Sequence, residues 1–270
     1  MMSLFRSTRR ACSFLALAAL LAAAGCASTG PQKVPPGTPE PDKFLFEKGT
    51  TALDSKKWMT AREYFRELID SYPQSRYRAD AKLGLGDTYL GEGTTESKIL
   101  AVNEFKEFLT FFPTHPRADY AQYKLAMAHY YQMLNPQRDQ TETKEAIKEF
   151  EAFVERYPNS TLMDEVRTRM REAKDRLSLS SYQVGLFYFR NRWYPGAVDR
   201  FKDLLQKDPE FTTRDAAYFY LGESLMKLNR AAEALPYFER LTKEFESSEY
   251  LADARRRIDE IKSTQSKGTP

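Results

Sequence analysis

The chain has 270 residues, enough for one large or two ordinary domains, and its 29% charged and 41% hydrophobic residues give it the composition of a folded, water-soluble body. Arg6, Arg9 and Arg10 account for the whole formal charge of +3, so the remainder after residue 25 is neutral, which argues against a nucleic-acid binder. Two histidines and two cysteines leave little from which to build a metal site, and neither metal nor cofactor is expected.

Residues 1–25 read as a signal peptide: a basic start, an apolar run from Ala11 to Ala24, and small residues before a cut. The run is shorter than the roughly 20 residues a membrane-spanning helix needs. It ends in Ala23-Ala24-Gly25-Cys26, which resembles the lipobox of bacterial lipoproteins, although a typical lipobox has Leu where Ala23 stands. The resemblance implies lipidation at Cys26, which then becomes the first mature residue. Cys12 is lost with the leader, so no internal disulfide is expected. Ala27 and Ser28 lack the aspartate that resembles an inner-membrane retention signal, so the expected location is the outer membrane, lipid-anchored, on its periplasmic face. Residues 26–41 hold Pro31, Pro35, Pro36, Pro39 and Pro41 with Gly30 and Gly37, and are expected to form an extended spacer. At 3.1 Å per residue its reach is up to about 45 Å.

The body repeats itself. Ala-x-x-x-Phe recurs at Ala61/Phe65, Ala101/Phe105, Ala146/Phe150, Ala197/Phe201 and Ala234/Phe238. Eight residues after the Phe comes Pro73, Pro113, Pro158 or Pro209, with Glu246 in the last copy. Upstream stands a small residue, Gly49, Gly86, Ala126, Gly185 or Gly222, and copies two and three carry insertions of three and eight residues before the Ala. Ala with large apolar residues at i+4 and i+7 makes an apolar stripe on a helix. The small residue lets the preceding helix approach closely, and proline ends the second helix because the residue before it avoids the α region. Such a hairpin cannot bury its own face and must stack on its neighbours.

The pattern resembles the tetratricopeptide repeat and predicts an all-α solenoid over 42–263, of five helical hairpins plus a C-terminal helix. The repeats fall at about 42–75, 76–116, 117–160, 161–211 and 212–246, with a capping helix at 249–262 and a polar tail at 264–270. Asp42 is a plausible first N-cap, and Ser160 or Thr161 a plausible cap of the fourth repeat. The first helix of that repeat is expected to be unusually long, about 29 residues, because Leu162 to Arg190 holds no breaker except Gly185.

Little in the chain suggests catalysis. His115 lies in an inter-repeat turn and His129 on a helix, with no convergent partners in the sequence. Gly84, Gly86, Gly91 and Gly93 do not follow a strand, as a phosphate loop would. Arg255–Arg257 and the Arg167/Arg169/Arg171 set are interleaved with acids and read as solvated helix faces. Tyr77, Tyr120, Tyr123, Tyr130 and Tyr131 are candidates for a concave groove that takes extended or helical peptides.

Several local motifs go beyond the generic repeat. Phe112-Pro113-Thr114-His115-Pro116 with Asp119-Tyr120, Gln137-Arg138-Asp139-Gln140, Tyr157-Pro158-Asn159-Ser160, Lys174-Asp175-Arg176-Leu177, Tyr188 and Trp193 are similar to segments of the BamD family, the lipoproteins of the outer-membrane β-barrel assembly machinery. The resemblance covers about 26–246. It implies a non-enzymatic scaffold that binds the periplasmic domain of the barrel-forming subunit, and other assembly lipoproteins, through its C-terminal repeats. The N-terminal repeats would receive unfolded β-barrel substrate peptides. Arg200 matches a family arginine that contacts the barrel subunit, and Arg138 and Asp139 match the family's Arg-Asp loop. The alternative is another lipid-anchored periplasmic repeat adaptor, for cell-envelope coordination or secretion piloting.

Overall fold

A computed structural model of the chain describes residues 32–267, so the leader and Cys26 lie outside the described residues. Among those described, the chain forms eleven helices and no strand. They are α1 (Pro41–Asp54), α2 (Trp58–Ser71), α3 (Arg78–Glu92), α4 (Thr95–Phe111), α5 (Ala118–Tyr130), α6 (Thr141–Arg156), α7 (Met163–Arg190), α8 (Tyr194–Lys207), α9 (Arg214–Lys227), α10 (Ala231–Glu244) and α11 (Leu251–Lys267). The fold is the all-α tetratricopeptide-repeat solenoid. It divides into two compact units at Gly84/Leu85, within α3.

The repeat register is a steric fact of the structure. The five signature alanines are fully buried, and the phenylalanines four residues on are at most 1% exposed. A Cβ added to Gly49, Gly86, Gly185 or Gly222 would lie 2.5–2.7 Å from the ring of Phe65, Phe105, Phe201 or Phe238, its own hairpin's phenylalanine. Each ring therefore fills the space where a larger residue would hold the two helices apart. The tight hairpins carry a left-handed residue five positions before the Ala, at Lys56 (φ 56°), Arg192 (φ 62°) and Asn229 (φ 58°). The second hairpin, with its short insertion, uses Gly93 (φ 76°) instead.

In the first unit, Leu45, Ala52, Ala61, Tyr64, Phe65 and Leu68 form the interior between α1 and α2. In the second, each helix from α4 to α11 packs on the next, and α7 also touches α9. One apolar cluster centres on Phe150, Phe153 and Val166; a larger one runs from Tyr182 through Phe201, Phe211, Leu221 and Phe238 to Ile261. The long helix is as expected: α7 has 28 residues.

A hydroxyl–carboxylate clasp closes the first, third and fifth hairpins, and the sequence reading missed it. An aspartate in the first turn of a first helix accepts from a serine in the turn after the second: Ser75 Oγ to Asp42 (2.6 Å), Ser160 Oγ to Asp119 (2.6 Å) and Ser248 Oγ to Asp215 (2.7 Å). The same serine oxygen accepts the backbone N–H two residues on, at Tyr77, Leu162 and Tyr250. Ser160 thus acts just ahead of α7 rather than as its N-cap, which is Leu162. Asp42 is not an N-cap either: Pro41 occupies the first helical position, its fixed φ starting the helix, and Asp42 turns to Ser75. The clasp also explains the exit of the last repeat, where Glu246 replaces proline. Phe245 leaves the α region (φ −134°, ψ 76°) as Tyr72, Phe112, Tyr157 and Asp208 do before their prolines.

Four further expectations change. The spacer is not extended throughout: Thr38 N–H donates to the Pro35 carbonyl (3.2 Å) around Gly37 (φ 82°), and the Gln32 N–H donates to the Tyr64 hydroxyl of α2. The capping helix runs to Lys267 through part of the expected tail, because the next glycine is Gly268 and the Ser263, Thr264 and Ser266 hydroxyls donate back to carbonyls within the helix. Arg257 is no solvated residue: its guanidinium is bidentate on the buried Glu223 carboxylate (Nη2 2.8 Å), which ties α11 to α9. Arg171 likewise grips Asp208 through two nitrogens (Nη1 2.9 Å). Burial pushes the Asp208 carboxyl up, but the bonds from Arg171 and Ser178 outweigh it and hold it below the usual range.

Candidate functional site

The five candidate tyrosines do not form one set. Tyr77 lies in the first unit and stacks on Phe46 (centroids 5.1 Å apart) beneath the Arg76 guanidinium, 4.7 Å from its ring. The other four belong to α5 and its C-cap. Tyr120 donates to Asp87 (2.8 Å), which Lys124 also meets at 3.3 Å, and the Arg117 guanidinium lies 4.6 Å from its ring. Burial pushes the Asp87 carboxyl up against the opposing pull of Lys124, and burial with the Asp87 charge pushes the Tyr120 phenol far up.

Tyr123 and Tyr130 reach α7 at a constant offset of 42 residues, donating to Glu165 (3.1 Å) and Glu172 (2.5 Å). Arg169 lies between the two acids, 3.4 Å from Glu165 and 3.2 Å from Glu172, with its guanidinium 5.8 Å from the Tyr130 ring. Burial and the Glu165 charge push the Tyr123 phenol up to about 12. The Tyr77 hydroxyl accepts from the Arg76 guanidinium, so four of the five tyrosine hydroxyls are engaged by charged groups. Tyr131 differs, with its ring 54% exposed and its carbonyl accepting from Lys98 Nζ (3.3 Å).

Arg138 and Asp139 are exposed in the insertion loop. The loop is built around the buried Gln140, whose amide nitrogen donates to the carbonyls of Asn135 (2.9 Å), Arg138 (3.0 Å) and Asp139 (3.2 Å) while its oxygen accepts from Thr143 (2.9 Å). Asp139 accepts from the Thr141 N–H (2.9 Å), which holds its carboxyl below the usual range. Asp139 thus helps start α6, while Arg138 projects from a loop whose shape Gln140 sets.

His129 has a partner the sequence did not reveal: its Nδ1 lies 2.7 Å from the Glu142 carboxylate across the α5–α6 hairpin. A cleft of about 320 Å³ lies between the turns at His115 and Tyr157, beside the Asp119–Ser160 clasp.

Arg200 lies on the exposed side of α8, its guanidinium 5.8 Å from the Tyr188 ring centroid. Tyr188 in turn meets Trp193 edge-on at 4.8 Å and Phe187 at 6.0 Å. Trp193 is 57% and Phe187 63% exposed, and Val184, one turn before Phe187, is 42% exposed. The sequence reading missed Val184 and Phe187. Their signal was present: the last turns of α7 carry apolar residues all round, and Leu179, Tyr182, Gly185, Leu186 and Phe189 already supply the face that packs on the Phe201 cluster. An arginine beside solvent-exposed aromatic rings is the composition of a protein-binding hot spot.

Comparison with known proteins accords with this architecture. A profile described as outer membrane lipoprotein (YfiO) matches residues 39–229. The chain belongs to the outer membrane lipoprotein family. Relatives named outer membrane protein assembly factor BamD include those of Caulobacter vibrioides (26% identical, covering 93% of this chain and 82% of the relative) and Vibrio cholerae (28%, 69% and 78%). The Rickettsia prowazekii protein of that name is 24% identical over 81% of this chain and 86% of its own. A tetratricopeptide-repeat profile matches 216–248. Solved structures such as the TPR2AB domain of yeast Sti1 with pHSP90 (11% identical, 83% of each chain, TM-score 0.44) and MamA (17%, 77% of this chain and 94% of the other, TM-score 0.35) overlay only loosely. The match runs well beyond one repeat, from residue 39 in the spacer to residue 229 in the turn between α9 and α10. No described helix is long and apolar enough to cross a membrane.

Proposed function

We propose that this protein is a non-enzymatic outer-membrane lipoprotein scaffold, anchored through lipid at Cys26 on the periplasmic face, that assists assembly and insertion of β-barrel outer-membrane proteins. Its partners are the periplasmic domain of the barrel-forming subunit, other assembly lipoproteins and unfolded β-barrel substrate peptides. Family membership across 39–229 supports the process, and the relatives named as assembly factors give its direction. The observation that carries the binding role is the surface at the fourth hairpin, where Arg200 meets the Tyr188 ring, which in turn meets exposed Trp193 and Phe187. Tyr131 and Arg138 supply a second exposed surface on the third repeat, suited to substrate segments.

The test is a mild-detergent capture of the full-length lipoprotein from its own envelope, with and without Arg200→Glu. A barrel protein with periplasmic domains should be recovered near one-to-one and lost about tenfold or more on charge reversal. Capture without any barrel protein, with the bait folded and lipidated, would rule the scaffold reading out.

A further inference from the structure

We infer that the turn of the first hairpin is a bilayer-contact surface for anionic phospholipid; the inference rests on the lipid anchor proposed above. Lys56 and Lys57 are exposed at this turn, and neither is ion-paired among the described residues. Trp58 is half-buried beside them, and Met59 is 68% exposed, among the highest values of any large apolar side chain. The turn is rigid, since Lys56 and Lys57 donate their N–H groups to the Leu53 (2.9 Å) and Ala52 (2.8 Å) carbonyls. Lysines around an aromatic ring and an exposed apolar tip are the chemistry of the membrane interface, where ammonium groups meet lipid phosphates and the apolar parts enter the headgroup boundary.

Chain length brings this tip to the membrane. The Gln32 N–H is bound to Tyr64 on α2, so only the six steps from Cys26 separate the lipid from that point. Fully extended they span about 20 Å, against the 45 Å of a free spacer. Trp58 lies six residues from Tyr64 along α2, about 9 Å. The hairpin must therefore lie close to the bilayer, and charge decides which end faces it. The turn carries Lys56 and Lys57 against Asp54, whereas at the opposite end Glu40, Asp42 and Asp70 stand among Lys43, Arg76 and Arg78, with Glu40 paired to Lys43 (3.4 Å) and Arg76 (3.7 Å). An anionic surface attracts the first end, which has an excess of unpaired lysine, and has little pull on the second, whose charges are balanced.

The test uses the lipidated full-length protein in vesicles of phosphatidylethanolamine and phosphatidylglycerol. Cys12 is removed with the leader and Cys26 is lipidated, so one introduced thiol is unique. An environment-sensitive dye on Met59→Cys should be quenched by headgroup spin-labelled lipid several-fold more than the same dye on Gln74→Cys at the other end. Adding Lys56→Gly and Lys57→Gln should lower quenching at 59 about threefold or more. Glycine suits the left-handed φ at 56, so this variant keeps the turn. Equal quenching at 59 and 74, or none at 59 in protein that floats with the vesicles, overturns the inference, as does protein that fails to float. Loss of the barrel partner in the capture experiment, with quenching at 59 intact, overturns only the scaffold reading.

Discussion

The α5–α7 face and the fourth-hairpin turn are built from the same residue types, tyrosine or tryptophan with arginine, yet they serve opposite ends. On α5 and α7, Tyr123, Tyr130 and Arg169 meet Glu165 and Glu172, so the hydroxyls and the guanidinium are satisfied within the chain. At the fourth hairpin, Phe187 and Trp193 hold more than half of their surface in water, and Arg200 has an aromatic ring rather than a carboxylate beside it. Composition alone does not mark a binding surface. What separates the two is whether an acidic partner stands one repeat away, because a satisfied polar group gains little from a new ligand while exposed rings gain by burial.

The largest expected effect tests the satisfied side. Arg171→Ala leaves the nearly buried Asp208 carboxylate without its bidentate partner and should cost about 3 kcal/mol by thermal unfolding. The same pair predicts a pH dependence. Asp208 is held below 3.8 in the folded chain, so its stabilisation is present above that value and is lost as pH falls through the lowered folded value. Acid titration of stability should show this loss in the wild type and not in Arg171→Ala.

Next comes a direct contrast between the two regions. Trp193→Ala should weaken capture of the partner about tenfold or more, with about 1 kcal/mol lost from its edge contact with Tyr188. Tyr130→Phe should leave capture unchanged and cost about 1 kcal/mol or less. Equal effects of the two on capture would break the distinction. The smallest effect is a gain: Arg192→Gly relieves a left-handed residue and should raise stability by about 1 kcal/mol, read from the denaturant midpoint.

Much of the fold was legible because its signals are local. The Ala, Phe and small-residue register follows from helical periodicity and from one ring's need for space, and the structure places those residues in contact, as at Gly222 and Phe238. The site was legible only in part. Tyr120, Tyr123 and Tyr130 read as groove residues because nothing near them in sequence announces Asp87, Glu165 or Glu172. The serine clasps had a signal, an aspartate paired with a serine 33 or 41 residues on, but it competes with many chance pairs until the hairpins are folded. Phe187 was hidden because an apolar residue on a helix reads as core unless the packed face is known.

By itself the sequence determined the helical repeat, its five-fold recurrence, the long α7 and the neutral charge of the body, all of which depend on residue type at short spacing. The tertiary structure alone decided which tyrosines are satisfied, how the last repeat exits without proline, that Gln32 returns to Tyr64, and which aromatic rings remain in water. Those outcomes depend on groups brought together from 30 or more residues apart, and at that range only packing selects the partner.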